Sequence, residues 1–376
     1  MFDANNVDVI LKQNIIDYVK KYISLKKIGP YLYKGKSPFT GIRTFFVNTK
    51  ENTFFDFSSG FGGNIIEFVK KVNNIATEDA IIKLFNDFNL KVSLNNLDNN
   101  RDYQCMSAAA LLYYNNFKNS AGEKYMQNRH VSKQSLIKFG IGHSYDFGIT
   151  LCEQLEKMGF TKSEIEEVGL MSIYDDYKGK TQIRDKFCNR VIFPIFDLEG
   201  RVVAFGGRAL NDNAKAKYLN SPETKLFSKR KLLYGGNFLD KTCDYIIICE
   251  GYMDTIAYHE AGFTNAVASL GTALTIEQVQ LLKSRTKKVI LSYDSDDAGQ
   301  KATVRAAELF KNSDCELTVL DVTPAKDPDE FIKKFGKEKM EKRINSSIPV
   351  SKYLLMNYEK KFGKDEGYFE LLANII

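Results

Sequence analysis

Along the first hundred residues, apolar positions recur at two different spacings. Val7, Ile10, Leu11, Ile15, Tyr18, Val19 and Tyr22 fall at helical intervals, which predicts one amphipathic helix over residues 5–22. Short β-prone pieces follow: PYLYKG, RTFFVN, and TFFDF after the turn-like TKEN. Helical spacing resumes at NIIEFVKKV and from Thr77, a predicted N-cap, to Phe88. The polar, Asn-rich SLNNLDNNRD at 93–102 reads as a linker. Beyond it the pattern is helical to about residue 139. VIFPIF (191–196) and VVAFGG (202–207), joined by the turn DLEG, then read as strands.

From Asp244 the pattern alternates strictly. YIIICEG, NAVASLG, KKVILSYD and CELTVLDV are predicted strands, separated by the predicted helices YMDTIAYHEAG, TIEQVQLLKSR and AGQKATVRAAELFKN. Alternation with short connections implies a parallel sheet, and such sheets bind ligands at the carboxyl ends of their strands. In ILSYDSDDAG the third strand runs straight into Asp294, Asp296 and Asp297. Alone, that stretch reads as a solvated turn with Asp297 capping the next helix. Glu250, however, closes another strand, and Asp327 and Asp329 lie just beyond a third. Acids from three regions on one sheet edge imply a divalent-cation site, and oxygen-only ligands select Mg²⁺ or Mn²⁺.

Composition narrows the class. At 376 residues, 44% hydrophobic and 27% charged, the chain suits two or three folded domains. No apolar run approaches the ~20 residues that span a bilayer, and MFDANNVDVI has no secretory character. A cytoplasmic protein without a membrane partner is expected. Six cysteines without a C-x-x-C pair and three dispersed histidines argue against a disulfide framework and a thiolate zinc site. The net charge of +6 is unevenly placed, since residues 180–241 carry thirteen Lys/Arg against six Asp/Glu. A polyanion-binding surface is expected there.

CEGYMD, SLGTAL, YDSDDAGQKA and AKDPDEFI together resemble the Toprim domain. The preceding NRVIFPIFDLEGRVVAFGGRAL and KYLNSPETKLFSKRKLLYG are similar to the basic N-terminal part of the catalytic core of bacterial DnaG-type DNA primases, and the match runs from about 184 to 335. This resemblance implies template-directed synthesis of short RNA primers on single-stranded DNA by two-metal nucleotidyl transfer. It implies Glu250, Asp294 and Asp296 as catalytic residues, and Glu250, Asp254, Asp294, Asp296, Asp327 and Asp329 as the metal-binding set. Arg190, Arg208, Lys217 and Lys229 match positions that contact template or nucleotide phosphates. Single-stranded DNA, ribonucleoside triphosphates and a replicative helicase are the implied partners. Whether Glu250 is a metal ligand or the proton acceptor stays open, and Arg208 could instead be a surface charge paired with Asp212. A Toprim-type nuclease and a catalytically silent single-strand-binding protein are the alternatives.

The implied fold is a multidomain α+β and α/β chain. A small zinc-ribbon-like α+β domain (1–95) precedes a mixed α+β basic subdomain (96–241), a Toprim parallel-sheet α/β subdomain (242–345) and the start of a helical subdomain (346–376). Family members hold zinc in the ribbon with a C-P-x-H half and a C-x-x-C half. Here SPFT and DFSSGFGGNIIEF place Ser37, Thr40, Asp56 and Ser59 at the ligand positions. No zinc is expected, and packing of Phe45, Phe46, Phe54, Phe55, Phe57 and Phe61 is expected to replace it.

Overall fold

A computed structural model describes residues 10–75, 77–88, 100–146, 148–175, 179, 181–211, 214, 216–271, 273–294, 296–311 and 313–367. The chain divides into two compact units, Met1–Asn99 and Asn100–Ile376.

In the first unit five strands form an antiparallel sheet in chain order: β1 (Leu25–Lys27), β2 (Leu32–Gly35), β3 (Phe45–Asn48), β4 (Thr53–Asp56) and β5 (Phe61–Gly63). Helices Ile65–Asn73 and Thr77–Asp87 follow, the first capped by the Asn64 side chain on the amides of Ile66 and Glu67. The helix expected over 5–22 is interrupted. Residues 5–9 lie outside the described residues, and the chain breaks at 12–14 before a short helix, Ile15–Val19. Asn52 holds the break open. Its amide donates to the carbonyls of Leu11 (2.7 Å) and Gln13 (2.8 Å), and its Oδ1 accepts from Ile15 N–H (2.9 Å). Of the expected linker, residues 93–99 lie outside the described residues, and Arg101 and Asp102 open a helix instead.

Two of the aromatics expected to replace zinc by packing lie outside the core. Phe45 and Phe54 are buried and stack at 5.2 Å, with Phe39 and Phe68 completing the cluster. Phe55 and Phe57, in contrast, are 43% and 67% exposed. Successive residues of a strand face opposite ways, so the neighbours of buried Phe54 and Asp56 must point outward.

The second unit begins with helices Arg101–Asn115, Ala121–Asn128 and Lys133–Lys138. A sheet of order β11-β10-β9-β6 joins β6 (Gly142–His143), β9 (Arg190–Phe196), β10 (Val202–Ala209) and β11 (Tyr218–Asn220), with β7 (Met171–Asp175) and β8 (Thr181–Asp185) forming a separate hairpin. The α/β part is a sheet of order β13-β12-β14-β15-β16, built from β12 (Ile246–Cys249), β13 (Ala266–Ala268), β14 (Lys288–Leu291), β15 (Glu316–Val319) and β16 (Ile348–Pro349). The first four run parallel; β16 pairs antiparallel with β15, which the alternation did not foretell. Ile247 and Cys249 enter one core with Ile256 and Met340, while Ile246 and Ile248 enter another with Leu282 and Phe310. Strands covered on both faces explain their unbroken apolar runs. The first of these cores also takes in Phe193 and Val203 from the neighbouring sheet. At that junction a Cβ on Gly206 would lie 2.3 Å from Tyr252 Oη, so its glycine serves close packing.

Candidate active site

The acids gather where the parallel strands end. Glu250 directly follows β12, and Asp294 lies three residues past β14. The Asp294 N–H donates to Glu250 Oε1 at 3.1 Å, fixing one strand end against the other. Gly299 makes this approach possible, because a Cβ there would fall 2.1 Å from the Asp294 carbonyl and 3.0 Å from Glu250 Oε1. Asp296, rather than Asp297, caps helix Asp297–Phe310 by accepting from Gly299 N–H at 2.9 Å. Asp327 caps the helix that starts at Pro328 by accepting from Glu330 N–H at 2.8 Å.

The electrostatics record the crowding. Burial raises the Asp294 carboxyl, and the charges of Glu250, Asp327 and Asp296 add to this, pushing it up to about 7. Burial, then the charges of Asp327, Asp294 and Asp329, pushes Asp254 well above the carboxylate range. Glu250 is raised by burial and by Asp296, against the opposing Asp294 N–H. Asp329 is balanced by Arg129 and by Lys333 Nζ at 2.7 Å. Among the described residues, no three His, Cys, Asp or Glu side chains are gathered closely enough to ligate one ion. The six expected ligands therefore form one electrostatic group, and not a coordination shell. Asp296, Asp327 and Asp329 keep partners of their own. A donor set made of carboxylate oxygens alone fits a hard cation of the Mg²⁺ or Mn²⁺ class.

The four expected phosphate contacts are differently placed. Arg190 turns its guanidinium onto backbone, donating to the carbonyls of Gly207 (3.0 Å) and Ala216 (3.1 Å). Arg208 lies 4.6 Å over the Tyr125 ring, and its buried Nε has no hydrogen-bond partner; its alternative partner Asp212 is outside the described residues. Lys217 is exposed and precedes β11, while Lys229 is half-buried and its backbone N–H and C=O bond Glu223 and Gln278. Two residues that sequence reasoning missed connect these cations to the acids. Arg129 reaches Tyr125 Oη (3.3 Å) and Asp329, and Tyr218 lies 6.0 Å from the Arg208 guanidinium, its hydroxyl pushed up by burial and by Asp254 against Arg208 and Arg129. A cavity of about 410 Å³ beside them is lined by Arg129, Lys326, Lys333, Lys334, Asp327 and Asp329, among others.

Family models describing a CHC2 zinc finger, the N-terminal domain of the DNA primase catalytic core and a Toprim-like domain match residues 3–100, 112–240 and 247–332. The chain is 38% identical to the DNA primase of Clostridium acetobutylicum over 368 residues, covering 92% of this chain and 60% of that protein. It is 33% identical to the Aquifex aeolicus DNA primase over 386 residues, covering 99% of this chain and 76% of that one. The chain belongs to the DnaG-type bacterial DNA primase family. The crystal structure of the zinc-binding and RNA polymerase domains of the Aquifex primase matches with a TM-score of 0.63 at 30% identity, covering 98% of this chain and 95% of that one. A DnaG primase catalytic domain solved bound to single-stranded DNA matches with a TM-score of 0.61 at 31% identity, covering 69% of this chain and 83% of that one. This primase-family chain thus spans 60% of the length of its Clostridium relative.

Its ribbon departs from the zinc-finger chemistry that the family model describes. Residues 1–99 contain no cysteine and no histidine. Asp56 is fully buried, and its carboxylate accepts from Ser37 Oγ (2.8 Å), Ser59 Oγ (2.7 Å), Thr44 Oγ1 (2.8 Å) and Ser58 Oγ (2.9 Å). Thr40 joins through Ser58, Oγ1 to Oγ at 2.5 Å. The four ligand positions do converge, but the hydroxyls of Ser37 and Ser59 are committed to Asp56 and that of Thr40 to Ser58. Three neutral hydroxyls and one carboxylate do not fit a tetrahedral N/S zinc site.

Residues 20–50 carry eight Lys/Arg and no Asp or Glu, a second basic stretch that the charge tally of the whole chain conceals.

Proposed function

We propose that this chain synthesises short RNA primers on single-stranded DNA, at the edge where Glu250, Asp254, Asp294, Asp296, Asp327 and Asp329 face the cations Arg129 and Arg208. The supporting observation is Arg129, which pairs with Asp329 at this edge and donates to Tyr125 Oη, the ring over which Arg208 lies. Opposite charges brought to one place suit a reaction between a hydroxyl and a triphosphate.

In that reaction the 3′-hydroxyl oxygen of one ribonucleotide bonds to the α-phosphorus of the next. The α–β phosphoanhydride bond breaks, and pyrophosphate leaves with the electron pair. Glu250 takes the hydroxyl proton on Oε2, since its Oε1 already accepts from Asp294 N–H. Burial makes its carboxylate a better base than an exposed one. Asp294, Asp296 and Asp327 would hold divalent cations, which would supply charge neutralisation to the phosphates. Lys326, Lys333, Lys334 and Arg129 suit the triphosphate in the adjoining cavity, while Arg208, Lys217 and Lys229 suit template phosphates.

The ribbon contributes without zinc. Its outward face carries Phe55 and Phe57 at 4.8 Å, Phe46 at 5.4 Å from Phe57, and Lys34 Nζ 5.0 Å over the Phe46 ring. Exposed rings interleaved with lysines suit stacking of unpaired bases.

The test is incubation with single-stranded DNA, labelled ribonucleotides and Mg²⁺ or Mn²⁺. Short RNA products, lost in Glu250→Gln and Asp294→Asn, are expected. Template fragments in their place would assign a nuclease, and bound but unchanged DNA a silent binder.

A further inference from the structure

We propose that the Asp56 carboxylate is the structural replacement for the ribbon's metal: one buried anion that ties the turn after β2 to the turn after β4 by collecting four hydroxyl donors. The inference rests on the metal-free reading of the ribbon and specifies the atoms that make it possible.

A zinc ribbon is held by a central cation that gathers ligands from two distant turns. Here the polarity is inverted. The centre is negative and the periphery donates. Ser37 and Thr44 come from one side, Ser58 and Ser59 from the other, and all four bond the same carboxylate within 2.7–2.9 Å. Ser37 is itself buried, and its Oγ accepts from the amides of Phe39 and Thr40 at 3.1 Å, so the turn's backbone is organised by the same centre. Charge-assisted hydrogen bonds are about twice as strong as neutral ones. A buried carboxylate without them would be destabilising, so anion and hydroxyls depend on each other. Unlike thiolates, these groups are neither oxidised nor stripped by chelators.

The full chain provides the test, through amide hydrogen exchange of residues 37–63 read by mass spectrometry. The wild type should exchange at the same rate with and without a zinc-selective chelator. Asp56→Asn keeps the shape but loses charge and acceptors, and should exchange at least about 10-fold faster there, with residues 244–345 unchanged. Asp56→Ala should exceed that, by about 100-fold. Unchanged exchange in Asp56→Asn overturns the proposal. A quadruple variant, Ser37→Cys, Thr40→Cys, Asp56→Cys and Ser59→Cys, tests the location. Uptake of one Co²⁺ per chain with slow exchange restored supports a shared centre, and no uptake overturns it. Zinc content of the purified wild type tests the metal-free reading separately. One bound zinc sinks that reading, whereas a zinc-free chain insensitive to Asp56→Asn sinks only the hub.

Discussion

Asp56 draws hydroxyls from 12 and 19 residues upstream onto one buried carboxylate. Burial pushes its carboxyl up, but the hydrogen bonds from Ser59, Ser37, Thr44 and Ser58 outweigh it and leave it at about 2. The sign follows from linkage. A carboxyl lowered in the fold stabilises it fully above the unfolded value of 3.8, and loses that stabilisation as pH falls towards 2. The difference corresponds to about 2 kcal/mol. Acid titration of the full chain, followed by proteolysis of the ribbon, should therefore show opening between about pH 4 and 2. In Asp56→Asn the opening should no longer depend on pH in that window. Equal pH dependence in both proteins would remove Asp56 as its source. DFSSGFGGN displays Asp56 but not the upstream hydroxyls that reach it, and sequence hides Arg129 in the same way, because its partner Asp329 lies 200 residues away.

Strands and helices separate what periodicity carries from what it does not. The parallel strands were readable because each is buried on both faces, which leaves unbroken apolar runs such as YIIIC. Glu250 and Asp294 were readable for the same reason, as the first acids after such runs. β16 was not, because two residues added at an edge leave no pattern. The helix break at 12–14 leaves no local pattern because Asn52, far along the chain, creates it. β4 is different, since its information was present and misapplied. With Phe54 and Asp56 inward, alternation requires Phe55 and Phe57 outward, against the expectation that both pack in place of zinc. Opposite outcomes are expected for the two kinds of ring. Phe54→Ala should destabilise the ribbon by about 3–5 kcal/mol. Phe57→Ala should leave its stability within ~0.5 kcal/mol while weakening single-stranded DNA binding about tenfold. Ribbon exchange rates and anisotropy titrations of both variants check this. A Phe57→Ala ribbon that opens would return that ring to the core.

Across the whole molecule, charge is segregated, with the acids at one sheet edge and basic stretches at 20–50 and 180–241. This arrangement sets how DNA affinity should depend on salt. Each phosphate neutralised on a single strand releases about 0.7 of a counterion. Four contacts from the second stretch would give a log–log slope of about −3, but Arg190 is committed to the carbonyls of Gly207 and Ala216. Arg208, Lys217 and Lys229 remain, for a slope of about −2 from that region, with the ribbon's lysines adding to it. Lys217→Ala and Lys229→Ala should each flatten the measured slope by about 0.7 at unchanged stability. Arg190→Ala should leave the slope nearly as it is and lower stability, because three residues would lose their donor. Anisotropy titrations of labelled single-stranded DNA between about 50 and 200 mM salt resolve these differences. If Lys217→Ala and Lys229→Ala keep the wild-type slope while charge removal at Lys34 flattens it, the template runs over the ribbon and not over the 180–241 surface.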